Sequence, residues 1–115
     1  LAAICGVSNG TLLESSDLHA QSIGVMIEAA QIGRSIGIQL PDDEALIERL
    51  ESVLVATSDN DCSMLQDIRR GRITEIDSIN GEILKVAEQV GIPCPLNAQL
   101  VALIKGIEST LYLGA

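Results

Sequence analysis

An all-α domain, a compact bundle of five to six helices spanning residues 1–115, is what this sequence predicts, and three observations carry it. Apolar residues recur at helical spacing in several long segments, and capping residues stand just ahead of those segments. No stretch alternates with the period of two that a half-buried strand requires. The apolar content, 47% of the chain, is almost wholly aliphatic, with one Tyr, no Phe and no Trp. Such side chains suit closely packed helices, and 115 residues are enough for one core but not two.

The elements follow in order. Ser15, Ser16 and Asp17 offer caps ahead of a long helix whose Leu18, Ile23, Met26 and Ala30, extended to Ile36, keep helical spacing until Gly37 stops it. Gly24 and Gly33 lie inside, each costing about 1 kcal/mol relative to Ala, and imply that another helix packs closely there. Pro41 with Asp42, Asp43 and Glu44 predicts a helix start, with Pro in the first turn and the acids at the positive end of the dipole. That helix turns Leu46, Ile47, Leu50, Val53 and Leu54 inward. Residues 57–60 break it, and a short helix runs through Met64, Leu65 and Ile68 to Gly71. Thr74 opens the next, with Asp77 standing where a capping box has Glu. Its inward stripe is Ile76, Ile79, Ile83, Val86, Ala87 and Val90, and Gly91 ends it. After Pro93 and Pro95, Asn97 caps a last helix that uses Leu100, Leu103, Ile104 and Ile107.

Charge excludes whole classes of partner. Seven basic against sixteen acidic residues give a net charge of -9, which repels nucleic acid and anionic membrane surfaces alike. Aromatic residues for base stacking are almost absent. The one basic cluster, Arg69, Arg70 and Arg72, reads first as a solvated helix end and second as a place for one small anion. No apolar run has the length of a membrane span, and the opening residues do not read as a signal peptide. Without an initial Met, the chain reads as an excised fragment. Cys5, Cys62 and Cys94 are odd in number and far apart, with a single His beside them, so neither a metal site nor a disulfide framework is expected. The setting they suggest is the reducing cytoplasm. Dinucleotide, phosphate-loop, zinc-protease and serine-hydrolase motifs are missing. His19 stands in a first helical turn with no nucleophile in reach and reads as exposed and idle. Generic rules alone leave a helical domain of unknown purpose.

The run from Ser63 to Asn97 says more. It contains Ser63-Met-Leu-Gln-Asp67, then Gly71-Arg72 and Thr74-Glu75-Ile-Asp77, then Asn80-Gly81, and it closes on Gly91-Ile-Pro-Cys-Pro95-Leu-Asn97. This pattern resembles the C-terminal domain of the ketopantoate reductase family, and the opening Leu1-Ala-Ala-Ile with Ser8-Asn9-Gly10 looks like the family segment that enters it. The resemblance covers essentially the whole chain. It implies a bundle like the C-terminal domain of 6-phosphogluconate dehydrogenase, serving NADPH-dependent reduction of ketopantoate to pantoate on the way to pantothenate and coenzyme A.

In the family an N-terminal Rossmann domain holds the cofactor, and a lysine lying upstream of the equivalent of Leu1 acts as general acid. By resemblance Ser63 and Asn60 contact substrate, and so does Asn9. Glu75 stands near the lysine and the nicotinamide ribose, a supporting catalytic and cofactor-side role. Cys62 departs from a serine common in the family. Lys85 and Lys105 fall at other motif positions and do not replace the lysine. Asp67, Arg72, Asp77 and Asn80 read as capping or interhelical contacts.

The substrate carboxylate is expected at the start of the short helix near Asn60, provided Asp61 turns away. The partners implied are the keto acid and the chain's own Rossmann domain, with a homodimer as a further expectation, because a domain parted from its neighbour bares apolar surface. The fragment alone is expected to be inactive. Two other readings stand beside this one, a non-catalytic dimerisation or docking module and a reductase for a different 2-keto acid.

Overall fold

The computed structural model describes residues 1–113, with side chains as far as Thr110. Among the described residues there are seven helices and no strand. They are α1 (Ala2–Cys5), α2 (Asn9–Glu14), α3 (Ser16–Ser35), α4 (Asp43–Ala56), α5 (Ser63–Arg69), α6 (Asn80–Val90) and α7 (Pro95–Leu113). None is long and apolar enough to cross a membrane.

Five of these are the helices that sequence spacing predicts, and α1 and α2 precede them. Four and six residues are too few for a period to declare itself. No side chain caps α2. Instead the amides of Asn9 and Gly10 donate to the carbonyls of Asn60 and Ser58, each at 2.9 Å. A distant loop thereby satisfies first-turn donors that would otherwise lack partners.

α3 begins as expected, with the Ser15 hydroxyl accepting from the Leu18 amide at 3.3 Å. At Gly24 an added Cβ would come within 3.0 Å of Leu96 Cδ1, so α7 does pack closely there. Gly33 faces Leu40 and Ile38 of the following loop rather than a helix. That loop is strapped by Arg34, whose Nη1 donates to Asp43 at 2.8 Å and whose Nη2 donates to the Pro41 carbonyl at 2.6 Å. Asp42 is the cap of α4, accepting from the Ala45 amide at 2.9 Å, so Pro41 stands before the helix and not in its first turn. Leu54 is buried, whereas Val53 lies outside the core at 56% exposure.

The start of α6 corrects the sequence expectation. Residues 74–79 form a turn, and helix begins only at Asn80. The Thr74 amide is drawn to the buried carboxylate of Glu108 on α7 at 2.9 Å, while its hydroxyl accepts from Ile76 N at 3.3 Å. Asp77 caps nothing and pairs with Lys105 of α7 at 3.1 Å. Two anchors on α7 therefore hold this turn out of helix. Ile79 is exposed in consequence, while Ile76 is buried; at the other end of α6, Val90 is exposed and Ala87 buried. Leu103 is likewise exposed, and Asn97 sits inside α7, fully buried, instead of capping it.

Two clusters make the core. Ala3, Leu65, Ile76 and Ile104 form one, and Ala2, Leu12 and Leu54 form the other. Successive alanines of α1 enter different clusters, and Cys62 packs against both. Small residues in a four-residue helix thus let it act as a partition between α5 and α7 on one side and α2 and α4 on the other.

Candidate functional site

Where α1, α2, α3, α5 and α7 meet the 74–79 turn and the start of α6, a cavity of about 350 Å³ opens. Most of its wall is aliphatic, built from Leu12, Val25, Met64, Ile76, Leu100 and Ile104 among others. Into this wall are set Asn9, Ser22, Ser63 and Asn80, with the Cys62 thiol. No charged side chain lines it, although the chain as a whole is acidic. An anionic substrate would meet neutral groups at contact distance, and orientation would rest on hydrogen bonds in an apolar surrounding, where they are strong.

Each polar group is held by its own element. Ser63 is the first residue of α5, and its side chain is exposed. Cys62 caps that helix, its sulfur accepting from the Leu65 amide at 3.4 Å, so the thiol fills the structural place of a serine hydroxyl as a weaker acceptor. Asp61 does not line the cavity and is ion-paired with Arg69. Asn9 donates through Nδ2 to Thr57 Oγ1 at 3.1 Å. Ser22 gives its proton to the Leu18 carbonyl at 2.8 Å. Asn80 donates through Nδ2 to Asn97 Oδ1 at 2.8 Å.

Behind Asn80 lies a part-buried polar junction around the fully buried Asn97. The carboxylate of Glu28 on α3 accepts from the amides of Leu96 and Asn97, at 3.0 and 2.8 Å, and from Asn97 Nδ2 at 3.0 Å. It caps α7 from a residue 69 positions away from Asn97 in sequence. Burial pushes the Glu28 carboxyl up, but hydrogen bonds from Asn97, the Cys94 thiol and Leu96 outweigh it and hold the group below its ordinary value. The Cys94 thiol is pushed up to about 12, first by burial and then by the Glu28 carboxylate beside it. It stays protonated and unreactive at neutral pH.

Of the residues predicted from sequence, Asn9 and Ser63 meet at the cavity. Asn60 is not part of the wall; it holds Asn9 in place through its backbone carbonyl. Glu75 is exposed on the 74–79 turn, adjacent to Ile76 of the wall. The interhelical contact expected of Asn80 is present, but the same side chain lines the cavity, a role its motif position did not declare. Nothing in sequence singled out Ser22. His19, expected to be exposed, is half-buried, with Nε2 3.8 Å from Glu51 and without a hydrogen-bond partner among the described residues. A second cleft of about 410 Å³ is lined by aliphatic side chains and Glu82 alone, which gives a polar substrate little to be oriented by.

Comparison with known proteins adds a separate line. A family model described as the ketopantoate reductase PanE/ApbA C terminal matches residues 1–108. A 2-dehydropantoate 2-reductase of Archaeoglobus fulgidus is 37% identical over 96% of this chain and 36% of its own length. One from Pyrococcus horikoshii is 40% identical over 95% of this chain and 36% of its own length. The chain therefore spans little more than a third of these curated relatives. Among solved structures, a PanE/ApbA family ketopantoate reductase from Ralstonia eutropha superposes with a TM-score of 0.86 at 34% identity, covering 96% of this chain and 36% of that one. A D-mandelate dehydrogenase solved with NADH and anilino(oxo)acetate superposes with a TM-score of 0.88 at 29% identity, covering 96% of this chain and 46% of that one.

Proposed function

The chain belongs to the ketopantoate reductase family as its C-terminal domain, and from that premise we propose that it forms the substrate side of a reductase converting 2-dehydropantoate to pantoate. The observation that carries this reading is the meeting of Asn9 and Ser63, far apart in sequence, in an uncharged and mostly aliphatic cavity. A small branched keto acid needs apolar wall for its methyl groups and a few placed hydrogen bonds for its oxygens.

Ser63 donates its hydroxyl proton to the substrate carboxylate. The Leu65 amide of the same first turn is already engaged by Cys62, so the Ser63 hydroxyl acts beside the earlier amides of that turn. Asn60 positions Asn9 through its carbonyl. Bound nicotinamide, taken here as NADPH, supplies hydride to the keto carbon. Glu75, whose exposed carboxylate is open to a ribose hydroxyl, serves the cofactor side and supports the general acid. Carbonyl protonation falls to the family's lysine upstream of the equivalent of Leu1, and the nucleotide-binding domain docks over the cavity and covers the exposed Ile73, just before the 74–79 turn, and Ile79 at its end. Without that domain the chain is inactive. A second copy of the chain is a further partner in this reading, and the cytoplasm its setting.

The test is Ser63→Ala in the full-length reductase. Losing a hydrogen bond to a carboxylate costs about 1.5–3 kcal/mol, which weakens keto-acid binding roughly tenfold or more and leaves NADPH affinity within twofold. Paired binding constants decide it, and a loss confined to NADPH would move Ser63 to the cofactor side.

One observation favours a second reading, a reductase for another 2-keto acid. The D-mandelate dehydrogenase matches this fold as closely as the ketopantoate reductase does. A panel of 2-keto acids compared by kcat/KM separates the two.

A further inference from the structure

The polar groups around the cavity are not free to point either way. Glu28 accepts only, and so does the carbonyl of Val25; both receive Asn97 Nδ2, at 3.0 and 3.2 Å. The orientation of the Asn97 amide is therefore set, and its Oδ1 must face Asn80 as an acceptor. Asn80 must answer with Nδ2, which it does at 2.8 Å, and its Oδ1 is held on the side away from Asn97. That oxygen has no hydrogen-bond partner among the described residues, and the side chain lines the cavity. A carboxylate on α3 thus dictates, through one buried amide, which end of a second amide is left for a ligand.

Asn9 is oriented in the same manner. Thr57 gives its own proton to the Val53 carbonyl at 2.7 Å, so it can only accept from Asn9 Nδ2, and Asn9 Oδ1 is left over. Ser22 has likewise committed its proton. Ser63 offers a hydroxyl donor, while Asn9, Ser22 and Asn80 together offer a wall rich in acceptors. Such a wall suits a ligand carrying a hydroxyl as well as a carboxylate.

We propose that Asn80 is a specificity-determining residue whose Oδ1 accepts a hydrogen bond from the 4-hydroxyl of the keto acid. The proposal rests on the reading of the whole protein as a reductase of 2-dehydropantoate, whose hydroxyl lies two carbons from the ketone. A site built to bond a hydroxyl discriminates strongly against the analogue lacking it, because the acceptor that the bound ligand shields from water is then unpaired.

The experiment compares 2-dehydropantoate with 3,3-dimethyl-2-oxobutanoate, which differs only by lacking that hydroxyl, on the full-length reductase and its Asn80→Ala variant. The expected result is a fall of roughly tenfold or more in kcat/KM for the hydroxylated acid, with less than a twofold change for the other. An equal loss on both acids would reduce Asn80 to a structural link and overturn the proposal alone. Turnover of neither acid by the unsubstituted enzyme would overturn the reading of the reaction, and this inference with it. Should Asn80→Ala fail to fold, Asn80→Ser, which keeps a donor toward Asn97, is put through the same comparison with the same outcomes.

Discussion

Glu28→Gln is expected to lower the stability of the chain by about 3 kcal/mol or more, far beyond what an isosteric change on a helix usually does. The carboxylate gathers the amides of Leu96 and Asn97 together with the Asn97 side chain. Glutamine has one oxygen for these donors and turns an NH2 group toward the others, so at least one backbone amide of α7 meets a donor. Hydrogen bonds to a charged group contribute about 1.5–3 kcal/mol each, and a buried donor stranded without water adds its desolvation. In a domain of this size such a loss lowers Tm by about 10 °C or more.

The pH dependence provides an independent check. The Glu28 carboxyl titrates below its ordinary value of 4.5, so its contribution is complete above that value and is lost as the pH falls from there through the folded-state value. The gap between wild type and Glu28→Gln should therefore be constant near neutrality and narrow below about pH 4.5. A gap that stays constant into acid would show that the Glu28 charge is not what holds α7. Thermal unfolding across a pH series measures both.

Gly10→Ala is expected to be the second severe change, although it adds a single methyl group. A Cβ at this position would stand 2.8 Å from Ser58 Cβ, 2.9 Å from the Ser58 carbonyl oxygen and 3.1 Å from its Cα. Two of these are backbone atoms of the loop that receives the first amides of α2, so relief requires the loop to move as a whole. Overpacking of this kind costs about 1–3 kcal/mol, and the displacement separates the Asn9 amide from the Asn60 carbonyl. The urea midpoint should fall, and in the full-length protein keto-acid affinity should fall with it. Ser58→Gly removes the Cβ contact but leaves the carbonyl, so the double variant should regain only part of the loss. Full recovery would place the clash in the side chain alone, and no loss at all in Gly10→Ala would mean the loop yields freely.

These two residues also mark where sequence reading stops. Ser15 and Asp42 announce their helices because the cap and the amides it serves are close neighbours in the chain. Thr74 and Asp77 look like the same device, yet Glu108 and Lys105 claim them from much further along the chain. Local chemistry was right about which groups bond and wrong about their partners. Asn97 has the composition of a cap and is instead buried in the helix, because Glu28 does the capping. At the cavity, Ser63 and Asn9 could be picked out by resemblance. Ser22 could not, and the availability of Asn80 Oδ1 is decided by residues on two other helices.

The strap made by Arg34 has a consequence for the order in which the chain folds. It joins α3 to the start of α4 across seven and nine residues, whereas Asn9 reaches Thr57 across 48 and Glu28 reaches Asn97 across 69. Short loops close in roughly 10–100 ns, and the entropy lost on closure grows with loop length. The hairpin of α3 and α4 can thus form by itself during synthesis, while α7 must wait for a preformed Glu28 to receive it. Pulse-labelled hydrogen exchange during refolding should find the Ala45 amide protected before those of Leu96 and Asn97. Simultaneous protection of all three would mean that the helices assemble in one concerted step and that the strap gives the hairpin no head start.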